Sequence, residues 1–150
     1  MTEKLTEAEL EAWQALLHAH HHLTRKLDSD LREGHGLSLS EYDVLLRLAR
    51  APERSLRMSE LAKRVMFSPS GLTRVVDRLV KEGLVDRRRD SPDARIVLAQ
   101  LTAIGHDRIR RAAQTHLRGI RQHFTARLTP IQLRNVASAL QVIVGPHRPH

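Results

Sequence analysis

Between Met58 and Thr102 a short helical pattern, a second helix opened by Ser-Pro and an Arg-rich hairpin follow one another without a gap, an order that leaves few folds open. In the first element, Met58–Met66, Leu61, Ala62 and Val65 share one helical face with charge on the other, and the small Ala62 lets a second helix approach closely. That second helix starts at Ser68-Pro69, a hydroxyl able to cap free backbone N–H groups followed by a proline whose missing N–H costs nothing at the first helical position. From Ser70 to Glu82 the residues Leu72, Val75, Val76, Leu79 and Val80 recur at three- and four-residue spacing, which leaves Ser70, Gly71, Thr73, Arg74, Asp77 and Arg78 largely on the opposite face. Gly83 stops the helix, and Leu84–Arg89 and Arg95–Leu101 read as two strands around Asp90-Ser-Pro-Asp-Ala94. Helix, helix and hairpin in this order outline a winged helix-turn-helix, and the outward set on the second helix suits a groove wall of phosphates and base edges in double-stranded DNA.

These residues resemble the MarR (multiple antibiotic resistance regulator) family of bacterial transcription factors. The resemblance rests on Asp93-Ala-Arg95 followed by Leu101-Thr102, on Ser59-Glu-Leu-Ala62, and on Leu72-Thr-Arg-Val-Val-Asp-Arg-Leu79 with Gly83-Leu-Val-Asp-Arg87. In layout it covers most of the chain: a long N-terminal helix, the winged region and two C-terminal helices. It implies a homodimer that binds a pseudo-palindromic operator and often releases it when a small ligand binds.

Composition sets the scale and the exclusions. A chain of 150 residues with 41% hydrophobic content is long enough for one core, but an aromatic share of 3% means that Leu, Val, Ile and Ala must fill it. The net charge of +8 favours a polyanionic partner, although 21 of the 25 basic residues are Arg, a skew that a GC-rich genome also produces. The distribution says more. Residues 1–53 carry 6 basic and 10 acidic groups, residues 54–100 carry 11 and 6, and residues 101–150 carry 8 and 1. The N-terminal third is therefore not expected to face DNA; the basic last third reads either as arginines pairing with the acidic first helix or as backbone contacts beside the DNA. With no cysteine, disulfides and thiol sensing are excluded, and with them the peroxide-sensing branch of the family. No apolar run reaches the roughly 18 residues of a membrane span and the first residues are acidic, so a cytoplasmic protein with no membrane partner is expected.

Outside the winged region the pattern is helical. Thr6-Glu-Ala-Glu9 fits a capping box ahead of a stripe of Leu10, Trp13, Leu17, Leu23, Leu27 and Leu31 that ends at Gly34-His-Gly36. A second box, Ser38-Leu-Ser-Glu41, opens Tyr42–Ala49, and Ala51–Ser55 reads as a loop. A long helix follows from about Thr102 to Arg127, with Ile109, Ala113, Leu117, Ile120, Phe124 and Leu128 on one face, and Thr129-Pro-Ile-Gln132 caps a last helix carrying Leu133, Val136, Leu140 and Ile143. The expected fold is thus mainly α with a small β-wing. It is read as one domain over 1–150, with dimerisation helices at 1–36 and 102–145, the winged helix-turn-helix at 38–101 and a mobile tail at 146–150. Terminal helices with more apolar surface than the winged core needs are expected to pair with those of a second chain.

In the DNA-binding reading, Ser68, Ser70, Gly71 and Thr73 occupy the first turn of the recognition helix, where free N–H groups and hydroxyls meet phosphate. Arg74 is positioned for a bidentate contact to a guanine edge and Arg78 for phosphate. Arg95 is expected in the minor groove with Asp93 supporting it, and either Arg87 and Arg89 or Arg88 face the DNA backbone, because successive strand residues alternate. By position in the resembled family, Trp13, His20, His21, Arg25 and Tyr42 line a pocket for a small aromatic or phenolic ligand. No cofactor is implied. His18 and His22, four apart on one face, suit two imidazoles on one metal ion, but no local carboxylate or cysteine completes a site. A metal-responsive regulator using that pair and a winged domain that binds another protein are the alternatives; no nucleophile motif, phosphate loop or H-E-x-x-H pair supports an enzyme.

Overall fold

The computed structural model describes residues 2–65, 67–89 and 95–145. Asp93, expected to support the wing, and the tail 146–150 lie outside them. Among the described residues six helices and a three-stranded sheet follow in the order α1 Glu7–His35, α2 Leu39–Arg50, β1 Ser55–Arg57, α3 Met58–Arg64, α4 Pro69–Lys81, β2 Val85–Arg89, β3 Val97–Leu101, α5 Ala103–His123 and α6 Pro130–Val144. Short 3-10 turns at Pro52–Arg54 and Thr125–Arg127 join α2 to β1 and follow α5.

The capping signals operate as the residues dictate. The Thr6 hydroxyl accepts from the Glu9 N–H at 3.2 Å while the Glu9 carboxylate accepts from the Thr6 N–H at 2.7 Å, fixing the start of α1. Ser38 and Glu41 form the same reciprocal pair at α2, and Thr129 and Gln132 at α6. Gly36 and Gly83 adopt φ of 66° and 76° just past α1 and α4, the left-handed conformation that ends a helix at little cost only for glycine.

The chain divides into two compact units, Leu27–His116 and Met1–Lys26 with Leu117–His150. Leu31 at the end of α1, and Ile109 and Ala112 in the first half of α5, are buried with the winged elements, so each of these two helices belongs to both units along its length.

In the Leu27–His116 unit the core is aliphatic. Leu31, Leu37, Val44, Leu45, Leu48, Leu61, Val76, Leu79, Leu84, Val85 and Ala99 have no exposed surface, and Tyr42 is the only aromatic among the buried residues described. The sheet has the order β1-β3-β2, antiparallel throughout, with Leu56 opposite Ala99 and Val85 opposite Leu101. Strand β1 was not legible as a strand: three residues give too short a run to show alternation, and only Leu56 among them is buried.

In the other unit no apolar side chain is buried among the described residues. Of the large apolar side chains exposed anywhere in the described chain, all but Ile104 belong to it, including Trp13, Leu17, Leu117, Ile131, Val142, Ile143 and Val144. Between the middle of α1, the end of α5 and α6 lies an open cavity of about 610 Å³ bordered by Leu16, His20, Leu23, Phe124, Arg127 and Leu140.

Candidate nucleic-acid interface

The outward face of α4 is set by its inward one. Leu72, Val76 and Leu79 are buried and Val75 and Val80 pack against the core, so helical geometry turns Ser70, Thr73, Arg74, Asp77 and Arg78 to solvent, as expected; Gly71 is half-buried. Ser68 is the N-cap, its hydroxyl accepting from the Gly71 N–H at 3.1 Å, and Pro69 follows at the first helical position. The Thr73 hydroxyl donates to the Pro69 carbonyl at 3.1 Å. Hydroxyls and the unpaired N–H groups of a first turn together form an anion-attracting end.

The three cations of α4 and β2 nearest this face are not equivalent. Arg74 is exposed and makes no ion pair among the described residues. The Arg78 guanidinium lies 4.0 Å from the Glu41 carboxylate, at the outer limit of an ion pair, and its side chain is 62% exposed. Glu41 itself is 2% exposed, with one oxygen in the α2 capping box and the other, Oε2, without a hydrogen-bond partner among the described residues. Arg87 is engaged twice: one arm of its guanidinium pairs with Asp77, and Nη2 donates to the Thr73 carbonyl at 3.4 Å. Alternation along β2 puts Val85, Arg87 and Arg89 on one face, the face that meets α4, with Asp86 and Arg88 on the other. Arg87 therefore faces the recognition helix, a placement that strand alternation alone left open. Arg95 is exposed just before β3.

The base of the wing is fixed by Thr102. Its hydroxyl donates to the Gly83 carbonyl at 2.7 Å and accepts from the Gly105 N–H at 3.0 Å, while its own N–H donates to the Leu84 carbonyl at 3.1 Å. One residue thus caps α5 and ties it to the turn between α4 and β2. This is the physical content of the Leu-Thr that closes the wing pattern. Gly105, which the sequence did not single out, lets α5 come this close.

The remaining expected site residues fall in both units. Tyr42 is buried on α2, its ring 4.5 Å from that of His116. It belongs to the core of the Leu27–His116 unit, and that burial pushes its phenol above its ordinary value. Trp13, His20, His21 and Arg25 lie on α1 in the other unit, and of these only His20 borders the cavity there. His22 borders it as well, whereas His18 does not. Among the described residues no three metal-ligating side chains are gathered. The arginines at the start of α5 find partners close by: Arg110 and Arg111 both pair with Asp107 at 3.1 Å, and Arg108 donates to the His35 carbonyl at 3.1 Å.

A model of the MarR family matches residues 35–96, the stretch from the end of α1 to the start of β3. The transcriptional regulator AdcR of Streptococcus pneumoniae is 42% identical over 115 residues, 73% of this chain and 74% of that one. The chain belongs to the MarR family. As a MarR-family protein it is a transcriptional regulator and not an enzyme, and its mainly helical fold with a small antiparallel wing is that of solved family members. AbsC of Streptomyces coelicolor is 34% identical and superposes with a TM-score of 0.87 over 95% of this chain and 96% of that one. Sco3205 of the same organism, solved in complex with DNA, is 34% identical with a TM-score of 0.89 over 99% of this chain and 93% of that one. No described helix of this MarR-family chain is long and apolar enough to cross a membrane.

Proposed function

We propose that this MarR-family chain is a homodimeric, sequence-specific repressor that reads an inverted repeat in double-stranded DNA. The observation that carries the reading is the exposed face of α4, where the Ser68 cap, Ser70, Thr73 and Arg74, which makes no ion pair among the described residues, present hydroxyls, free N–H groups and one guanidinium on a helix whose other face is locked into the core. In this reading α4 lies in the major groove with Arg74 on a guanine edge, Ser68, Ser70, Gly71, Thr73 and Arg78 serve the backbone, Arg89 approaches phosphate from the wing, and Arg95 enters the minor groove. The DNA-bound Sco3205, similar over 99% of this chain, supports it. The term repressor draws on YetL of Bacillus subtilis, a transcriptional repressor 32% identical over 83 residues, 55% of this chain and 50% of that one.

The unit with no buried apolar side chain among its described residues supports dimerisation. Apolar helices as exposed as α6, where Val142, Ile143 and Val144 are 83%, 72% and 80% exposed, need a partner to bury them, and a two-fold dimer is the commonest solution. Two-fold symmetry then sets two copies of α4 about 34–36 Å apart, one turn of DNA. Release by a small aromatic or phenolic ligand is the remaining part of the proposal. The cavity of about 610 Å³ supports it, with room for a ring among Leu16, Leu23 and Phe124.

Selection of bound duplexes from a random library at near-physiological salt tests the reading. The expected result is an enriched inverted repeat with half-sites about one helical turn apart. No enrichment would overturn sequence-specific binding, and a sedimentation profile that stays monomeric at micromolar concentration would overturn the dimer. Screening aromatic acids and phenols against the selected duplex tests the ligand, which is discarded if none weakens binding.

A further inference from the structure

Asp77 is out of place on a face that meets a polyanion. It sits on the exposed side of α4 one turn beyond Thr73 and three residues beyond Arg74, where a carboxylate repels phosphate. It also borders a cleft of about 480 Å³ whose other charged lining residues are Arg57, Arg87 and Arg95. A single acid among three arginines lowers the attraction of this cleft for any nucleic acid.

What Asp77 gains for that loss is Arg87. The planar guanidinium spans one helical turn, with one arm on the Asp77 carboxylate and the other on the Thr73 carbonyl 3.4 Å away. Residues 73 and 77 are neighbours on the helix surface, so the fork matches their spacing. Its anchor is β2, held to β3 by a ladder in which Arg87 stands opposite Ala99 and Arg89 opposite Val97. The contact therefore joins the strand that carries the wing to the outward ridge of the recognition helix. Its side chains are 33% and 56% exposed, and ion pairs so exposed add little to folding stability. The contact acts on position.

We propose that Asp77 is a specificity-determining residue that withholds Arg87 from the DNA backbone and uses it to hold the wing at a fixed distance from α4. The proposal rests on the DNA-binding reading above and deepens it. Withholding one cation per subunit removes a phosphate contact that every sequence would share equally, while a fixed wing lets α4 and Arg95 engage their grooves only in register. Discrimination rises as indiscriminate affinity falls.

The test uses the full chain with two probes, the duplex obtained by selection and a random-sequence duplex of equal length, and the variants Asp77→Asn, Arg87→Gln and the double variant. Asp77→Asn is expected to bind random duplex more tightly, because Arg87 is released onto phosphate. The slope of log K against log salt then steepens by about 0.9 per subunit, about 1.8 for a dimer. The ratio of selected to random affinity falls about tenfold, as after a single wrong base pair. Arg87→Gln weakens both complexes, leaving Asp77 unpaired before the phosphates, with the salt slope of the wild type. The double variant returns to the wild-type slope but not to the wild-type ratio. A wild-type ratio and slope in Asp77→Asn would overturn the proposal alone, as would a shallower slope in Arg87→Gln, which would mean that Arg87 already touches phosphate. Failure of the wild-type chain to bind either duplex overturns the DNA reading, and this inference with it. Because the pair is exposed, thermal unfolding of all three variants should match the wild type; a variant that unfolds early would assign the pair to stability and overturn the positioning role.

Discussion

Replacing Gly105 by alanine should destabilise the MarR-family fold, although alanine is the better helix former. A Cβ at this position would lie 2.1 Å from the Leu84 carbonyl oxygen, 2.8 Å from Leu101 Cδ1 and 3.0 Å from the Leu84 carbonyl carbon. The nearest atom belongs to the backbone, so rotation of a side chain cannot relieve the contact. It is also held in place, since the Leu84 oxygen accepts from the Thr102 N–H at 3.1 Å and the Leu84 N–H donates to the Leu79 carbonyl at 2.9 Å. Relief requires α5 to withdraw from the wing base by about an ångström, a shift on the scale that overpacked cores make at about 1–3 kcal/mol. The same withdrawal stretches the Thr102 bonds to Gly83 and Leu84, each contributing about 0.5–1.5 kcal/mol. Against this stands a gain of at most about 1 kcal/mol in helix propensity. The net cost is about 2–4 kcal/mol, which for a chain of this size lowers Tm by about 5–15 °C. Thermal unfolding followed by circular dichroism reads it, with Gly34→Ala as the control. There the added Cβ meets only Thr115 at 3.9 Å, so stability should hold or rise by about 0.5–1 kcal/mol. A Gly105→Ala protein as stable as the wild type would refute the close approach and the account of the wing base built on it.

Other consequences can be measured on the same protein. Arg74→Ala should relax preference at one major-groove position by about 1–3 kcal/mol, whereas Arg95→Ala should weaken binding chiefly to A·T-rich flanks; equal losses on selected and random duplex for both would contradict that division. Asp28 accepts from the Leu39 N–H at 2.8 Å and from Arg32 at 2.7 Å. Its burial raises the carboxyl pKa, but these two partners more than offset it and hold the group below its ordinary 3.8. The stabilisation is therefore present above 3.8 and is lost as pH falls through the depressed folded value. Asp28→Ala should cost about 1 kcal/mol at neutral pH, and the difference from the wild type should close in acid; a difference constant down to about pH 2 would refute this. His116 is driven below its ordinary 6.5 by burial, with Asp30 and Asp43 opposing, and its Nδ1 has no partner among the described residues. The unfolded chain takes up that proton first, so stability holds above 6.5 and declines as pH drops from there toward the folded value. His116→Phe should flatten this decline in urea titrations between about pH 7.5 and about pH 5.5, and identical profiles would count against it.

Much of this could be read from the chain. Ser68-Pro69, the capping pairs at α1, α2 and α6 and the three- and four-residue spacing of Leu72, Val76 and Leu79 are local signals, each acting within about one helical turn, so they fix where helices begin and which face turns inward without reference to the rest of the fold. The outward set on α4, and with it most of the candidate DNA face, follows from them. The chain does not reveal which charges on that face are spent internally. Strand alternation sets Arg88 apart from Arg87 and Arg89 but leaves open which face they take; only the pairing of β2 with β3 and the approach of α4 give Arg87 to Asp77 and Thr73. Tyr42 at helical spacing reads more readily as core than as pocket wall, but only the fold brings His116 against it, and Gly105 is unremarkable until Leu84 is seen beneath it. Propensity, caps and amphipathic period are properties of neighbours in sequence, and the chain determined them by itself. Ion pairs, buried polar groups and close backbone approach are properties of neighbours in space, and only the tertiary structure decided those.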